Sequence, residues 1–292
     1  MNEFTIKDLE NLSGIKAHTI RVWEQRYNFL KPQRTETNIR YYNNHELKML
    51  LNIALLTKYG YKISHIDKMN EEDLKKSIIS LSTAEAQQER MVNELIQCMV
   101  CLDVERFENI LDNYILAKGF DKTITQIVFP FLDRIGILWL TNHINPGQEH
   151  LVTNIVRQKL IVGIEGVSSH IVRNKKILLY LPEGEHHELG LLYVTYLFKK
   201  HGVKVIYMGA DVPLKDIQFV CEHKEPDYLY THLTCITGGF HLEKYLSQFH
   251  ASLPKTTLII SGKISQKLKS KTPVTVQVKR SLPEVLEFVS TL

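Results

Sequence analysis

Glu185-x-His187-x-x-Gly190 follows the apolar run Ile177–Leu181 and contains the residues of this chain best suited to chemistry. A carboxylate two residues before an imidazole can accept one ring N–H, fix the tautomer and leave the other nitrogen to ligate a metal. Gly190, at the start of the next helix-like stretch, lets a bulky ligand or a backbone segment approach closely. Zinc wants three or four protein ligands, and His186 and Glu188, which neighbour His187, have no clear distant partner in the sequence. Cys98-x-x-Cys101 has half of a zinc-site spacing but lies inside a helical pattern with no second Cys or His pair, so both read as helix thiols, buried rather than ligating. With Cys221 and Cys235 they make four scattered cysteines, too few for a disulfide framework.

The elements that must position His187 are legible in the spacing. Apolar runs at Lys176–Leu181, Lys204–Met208, Tyr228–Leu233, Thr257–Ser261 and Val274–Val278 alternate with helix-like stretches at Glu188–His201, Leu214–His223, Phe240–His250 and Leu282–Leu292. Five strands alternating with helices predict a parallel, doubly wound, flavodoxin-like (Rossmann-type) sheet. Ligands bind such sheets at the carboxyl ends of the strands, where the loop after the first strand carries His187. From Thr83 to about His170 the apolar spacing is helical, with breaks near Leu102-Asp103, Lys118-Gly119 and Asn142–Gly147, which predicts a four-helix bundle. The chain is thus multidomain α and α/β, with domains expected at 1–75, 80–170 and 174–292.

Length and composition agree, since 292 residues exceed the roughly 250 that one core usually supports. Hydrophobic content of 44% and charged content of 23% are those of a globular protein. No apolar run reaches the roughly 20 residues of a membrane helix, and Met1-Asn2-Glu3 lacks the basic start of a secretion signal, so a cytoplasmic protein is expected. Residues 1–66 hold ten lysines and arginines against six acids, a surplus equal to the +4 of the whole chain. A basic module beside a neutral body is the footprint of phosphate contact.

That module reads as a short helix from Thr5, a Ser13-Gly14 turn, a second helix over Lys16–Tyr27, a small wing over Gln33–Tyr42 with Asn38 at its tip, and helices over His45–Tyr59 and Ser64–Lys76. A helix entering a major groove needs polar residues at its start, cations for phosphates and an apolar back. His18 and Thr19, then Arg21 and Arg26, then Ile20 and Trp23 against Leu9 and Leu12, supply these. The wing adds Arg34, Arg40, Tyr41 and Tyr42, suited to backbone and minor-groove contact. Phe4-Thr5-Ile6 through Ser13-Gly14-Ile15, Thr19-Ile20-Arg21-x-Trp23-Glu24-x-Arg26, Pro32-x-Arg34 and Arg40-x-Tyr42 together resemble the winged helix-turn-helix of the MerR family over about the first 70 residues. The resemblance implies a homodimer or larger assembly, up to a homotetramer, on double-stranded promoter DNA, held by Lys16, His18, Thr19, Arg21, Arg26, Arg34, Arg40, Tyr41 and Tyr42. Glu24 is then an intramolecular partner for an arginine. Asn38 stands where the family usually has Gly, a mild change because Asn tolerates the left-handed region.

A cobalt already held by four corrin nitrogens needs only one ligand from below. Glu185-x-His187-x-x-Gly190 resembles the Asp-x-His-x-x-Gly signature of cobalamin-binding domains of the methionine-synthase type, in which the His is the lower axial ligand. Trp139 with Glu149-His150 after nine intervening residues is similar to the Trp-x9-Glu-His cap of cobalamin-dependent regulators. The resemblance implies that Trp139 covers the upper face of the corrin and that Glu149 and His150 contact the upper ligand. It further implies that a hydroxyl of the stretch Tyr230–Thr234, here taken as Thr231 although the register leaves the choice open, and Gly262 of Ser261-Gly262 face the nucleotide tail. Glu185 replaces the commoner Asp, and Ser261 stands where a Gly-Gly turn is expected and could crowd the tail. Light-sensing members carry a His after the cap Trp, where this chain has Leu140; His143 is nearby in sequence only.

The whole chain resembles the cobalamin-binding MerR-type repressors. The function this implies is promoter binding gated by adenosylcobalamin or methylcobalamin held between the bundle and the α/β domain, with no enzymatic activity. Two alternatives are a MerR-type regulator whose sensor domain has lost its ligand and serves assembly, and a corrinoid methyl shuttle. The shuttle accounts for His187 but not for the first 75 residues.

Overall fold

A computed structural model of the chain describes residues 3–140, 145–169, 172–234, 241–264 and 275–292, with only the helical backbone at 137–140. These residues form two compact units, Met1–Ile155 and Val156–Leu292.

The first unit begins with α1 (Ile6–Ser13), closed at its start by a Thr5/Asp8 capping box and at its end by Gly14 at φ 74°. A short turn leads to α2 (Ala17–Arg26). The wing is the antiparallel pair β1 (Gln33–Arg34) and β2 (Arg40–Tyr41), with Asn38 left-handed at its tip as expected. Phe4 bonds Tyr42 through both backbone groups and ties the start of the chain to the wing. Asn43 forms a capping box with Glu46 at the start of α3 (Asn44–Lys58). The single helix expected over Ser64–Lys76 is instead two, α4 (Ile63–Ile66) and α5 (Glu71–Ser80). Asn70 divides them by capping α5, its side chain accepting from the Asp73 N–H.

The bundle follows with α6 (Ala84–Cys101) and α7 (Val104–Lys118). Next come α8 (Phe120–Thr123), a π-helical turn over Ile124–Val128, and α9 (Phe129–Leu140), and then α10 (Pro146–Glu165). The first two breaks fall where expected: Leu102 is left-handed and Asp103 caps α7, which Gly119 closes, while the third, Asn142–Gly147, lies partly outside the described residues. The winged module packs directly on the bundle, α1 against α9 and α3 against α6. Glu89 of α6 accepts from Lys58 of α3 at 2.7 Å and from Arg134 of α9 at 3.3 Å.

The second unit is a five-stranded parallel sheet in the order β4-β3-β5-β6-β7. The strands are β3 (Lys176–Pro182), β4 (Lys204–Val212), β5 (Tyr228–His232), β6 (Thr257–Ser261) and β7 (Val276–Val278). The helices are α11 (Leu189–Lys200), α12 (Leu214–Lys224), α13 (Leu242–Ser252) and α14 (Leu282–Thr291). Ile177–Leu181 are 0% exposed, the mark of a central parallel strand buried on both faces. Because β4 and β5 flank β3 on opposite sides, strand order reverses at β3, and the loop after it sits at the switch point.

Candidate functional site

The loop from β3 to α11 is fixed at both edges. Gly184, at φ 84°, donates its N–H to Asp211 Oδ1 at 2.8 Å, and the Asp211 N–H returns to the Glu185 carbonyl at 3.2 Å. Glu185 is 4% exposed, an unusual place for a carboxylate unless its oxygens are bonded. Its Oε1 accepts the His187 backbone N–H at 2.9 Å and pairs with His187 Nδ1 at 2.6 Å, while Oε2 accepts the Thr234 N–H at 3.3 Å. With Glu185 ionised and the ring neutral, the carboxylate can only accept, so Nδ1 carries the proton and the lone pair lies on Nε2, the form an imidazole needs to ligate a metal. The His187 side chain is 42% exposed at the carboxyl end of β3. On α11's approach, Glu188 holds Arg157 and the Tyr207 hydroxyl.

Gly190 and Gly262 are both places of close approach, but the neighbour is the chain itself. A Cβ on Gly190 would lie 2.3 Å from Cδ2 of His232, and one on Gly262, at φ 95°, would lie 2.3 Å from the Leu233 carbonyl oxygen. The close approach expected at Gly190, by a ligand or a backbone segment, is made here by the His232 ring. The polar chain beside it was not anticipated: Tyr230 donates to Ser261 Oγ at 2.6 Å, and Ser261 Oγ lies 2.8 Å from His232 Nδ1. Desolvation lowers the His232 pKa to about 4, so the ring is neutral. Its signal in sequence is a histidine and a serine closing two adjacent strands, which the register pairs directly. Ser261 is therefore the centre of a hydrogen-bonded chain. Thr231, between Tyr230 and His232, is fully buried and its Oγ1 has no hydrogen-bond partner among the described residues.

Glu149 and His150 lie in the first turn of α10, with Glu149 Oε2 and His150 Nδ1 3.6 Å apart and the His150 side chain 72% exposed. The side chains of Trp139 and Leu140 lie outside the described residues, as do His143 and Cys235.

On α2, Ile20 is buried and Trp23 packs against the cluster of Ile53, Leu56 and Ile66, edge-on to Phe29. Lys16, His18, Arg21 and Arg26 are exposed and Thr19 is part-buried. Lys16 pairs with Glu10 at 3.2 Å, whereas Arg21 and Arg26 have no acidic partner among the described residues. In the wing, exposed Arg34 reaches the Asn38 side-chain oxygen at 2.7 Å, and Tyr41 donates to Gln33 at 2.6 Å. Two wing residues have roles other than those expected. Tyr42 is 0% exposed and donates a hydrogen bond from its hydroxyl to Glu24, so it cannot touch a phosphate. Arg40 is part-buried with its Nε 3.1 Å from Glu24 Oε2, so it ties the wing to α2. Glu24 is thus the intramolecular partner foreseen for it.

Residues 4–73 match the family model of the MerR HTH family regulatory proteins, and residues 91–162 match that of the B12 binding domain. The chain is 26% identical over 258 residues to the HTH-type transcriptional repressor CarH of Myxococcus xanthus, covering 86% of each protein. It is also 26% identical over 225 residues to the repressor CarA of the same organism, covering 76% of this chain and 73% of that one. The fold is similar to that of the monomethylamine corrinoid protein of Methanosarcina barkeri, with a TM-score of 0.52 at 13% identity over 70% of this chain and 100% of the other. Among the described residues no helix is long and apolar enough to cross a membrane. A MerR-type helix-turn-helix joined to a B12 binding domain makes this chain a homologue of the Myxococcus xanthus repressors CarH and CarA.

Proposed function

We propose that this chain is a transcriptional repressor whose binding to promoter DNA is gated by cobalamin, in its adenosyl or methyl form, and that it is a regulator rather than an enzyme. The observation that carries the reading is the Glu185–His187 pair at the switch point of the sheet, in one chain with the cationic face of α2. His187 would hold the group through Nε2, Glu185 would keep the ring in the ligating tautomer, and the Thr231 hydroxyl, buried without a partner among the described residues, has hydrogen-bonding capacity to spare for it. Cobalamin, when bound, would supply a cobalt that the His187 imidazole would ligate. Trp139, Glu149 and His150 complete the proposed cofactor set, with Gly190 and Gly262 allowing the close packing beneath it.

Arg21, Arg26, Lys16 and Arg34 would meet phosphates, and His18 and Thr19 would face the groove. We take the parts as a DNA module over 1–75, a bundle over 80–170 and a cofactor domain over 174–292, acting in the cytoplasm as a homodimer or homotetramer. A ligand changes DNA affinity only by binding two assemblies unequally, so loaded and unloaded forms must differ in their contacts. The test is a mobility-shift titration of promoter DNA with and without adenosylcobalamin, in darkness and after illumination, on the wild type and His187→Ala. A shift that depends on cofactor in the wild type and not in the variant is expected; identical shifts in every condition would refute the gating.

A further inference from the structure

Helices α5 and α6 both pack on α3, and between them lies a half-open groove of about 830 Å³, within the size range of small-molecule sites. Its apolar lining comes from Met49, Leu55, Leu74, Ile78 and Met91, with Leu55, Leu74 and Ile78 at most 8% exposed. Its polar lining is unevenly charged. Each groove acid is engaged: Glu71 with His45 at 3.8 Å, Glu72 with Lys76 at 2.9 Å, and Glu94 with Arg106 at 3.1 Å. Lys48 and Lys75, which also line it, have no acidic partner among the described residues.

Arg90 is the group left over. Among the described residues its Nε is buried without a hydrogen bond, and its one acidic partner is Glu94 at a long 3.8 Å, whose other oxygen Arg106 already holds. A buried N–H with no acceptor is destabilising, and a guanidinium has the fork that a carboxylate fits. The amides of Asn52 and Gln97 line the same groove and make no hydrogen bond to any described residue.

We propose that this groove binds a small amphiphilic organic acid, with its carboxylate on Arg90 and its hydrocarbon body along Met49, Leu55, Leu74 and Ile78. The cations select an anion, and the apolar wall selects a hydrocarbon-bearing acid over an inorganic one. Such a ligand bridges α3 and α5 of the DNA module to α6 of the bundle and gives the chain a ligand input separate from His187.

The experiment is calorimetric titration of the full chain with decanoate below its micellar range, with decanol and inorganic phosphate as comparators. Saturable binding of one decanoate per chain is expected, with decanol and phosphate weaker by about tenfold or more, one charge-assisted contact or the hydrocarbon body being lost. Arg90→Gln should weaken decanoate by about tenfold at unchanged helicity. Ile78→Trp, which fills the groove, should abolish binding, and His187→Ala should leave it unchanged, so this result stands or falls apart from the cobalamin reading. No saturable binding by the wild type would overturn the proposal. So would phosphate binding as tightly as decanoate, or wild-type affinity retained by both groove variants.

Discussion

Glu185 Oε1 meets both N–H groups of His187, the backbone one at 2.9 Å and ring Nδ1 at 2.6 Å. Two bonds to one oxygen fix the ring's rotation as well as its tautomer, so the carboxylate acts on a metal through the imidazole. Glu185→Gln can present an amide N–H where an acceptor is needed, and the ring then loses its orienting partner. Cobalamin affinity should fall by roughly 10- to 100-fold, the usual cost of losing a partner behind a metal-bound histidine. Absorbance titration checks this. The cob(II)alamin EPR spectrum should keep its nitrogen splitting in Glu185→Gln and lose it in His187→Ala; retention in His187→Ala would mean that another group is the ligand.

The two arginine classes of the DNA module should separate by salt dependence. Arg21 and Arg26 are exposed without acidic partners among the described residues, so replacing either with Gln should lower the slope of log affinity on log salt by about one. Arg40 pairs with Glu24, which also accepts from the buried Tyr42 hydroxyl. Arg40→Gln and Glu24→Gln should therefore weaken binding by loosening the wing while leaving the slope nearly unchanged. Anisotropy titrations over a salt series distinguish the two. A drop of one in slope for Arg40→Gln would place that guanidinium on a phosphate after all.

Much of this was legible in the sequence because the forces involved are local or periodic. Ile177–Leu181 reads as a buried strand since a central parallel strand is apolar on both faces. Thr5 marks a helix start because capping depends on one side chain and the next turn, and Leu102-Asp103 marks a break for the same reason. The Glu185–His187 pair spans two residues and was equally readable. Contacts that depend on register or tertiary placement were not. His232 meets Ser261 only because β5 and β6 pair them, and Arg40 with Tyr42 turns inward only because Glu24 waits on α2. The break at Asn70 hides in a continuous apolar rhythm, where a cap overrides the pattern.

The cysteines should divide by burial. Desolvation pushes the Cys98 and Cys221 thiols up to about 11, so few thiolates form near neutral pH, whereas Cys101, read from the sequence as buried, is exposed at the end of α6. Brief iodoacetamide treatment of the native chain at pH 8, followed by peptide mass mapping, should label Cys101 well before Cys98 or Cys221. In denaturant all three should react alike. Early labelling of Cys98 would contradict its reading as an inert helix thiol.

His232 should make stability depend on pH in a defined window. Burial lowers its folded pKa to about 4 from an ordinary value near 6.5, so the unfolded chain binds a proton that the folded one excludes. The stabilising effect of keeping this ring neutral is complete above about pH 6.5, falls as the pH drops, and is gone near pH 4. The full swing is on the order of 3 kcal/mol. Urea denaturation from pH 7.5 down to 4.5 should show the midpoint falling. His232→Gln, whose amide can still bond Ser261, should start less stable and lose most of that slope. A variant that retains the wild-type pH profile would assign the acid sensitivity to other groups.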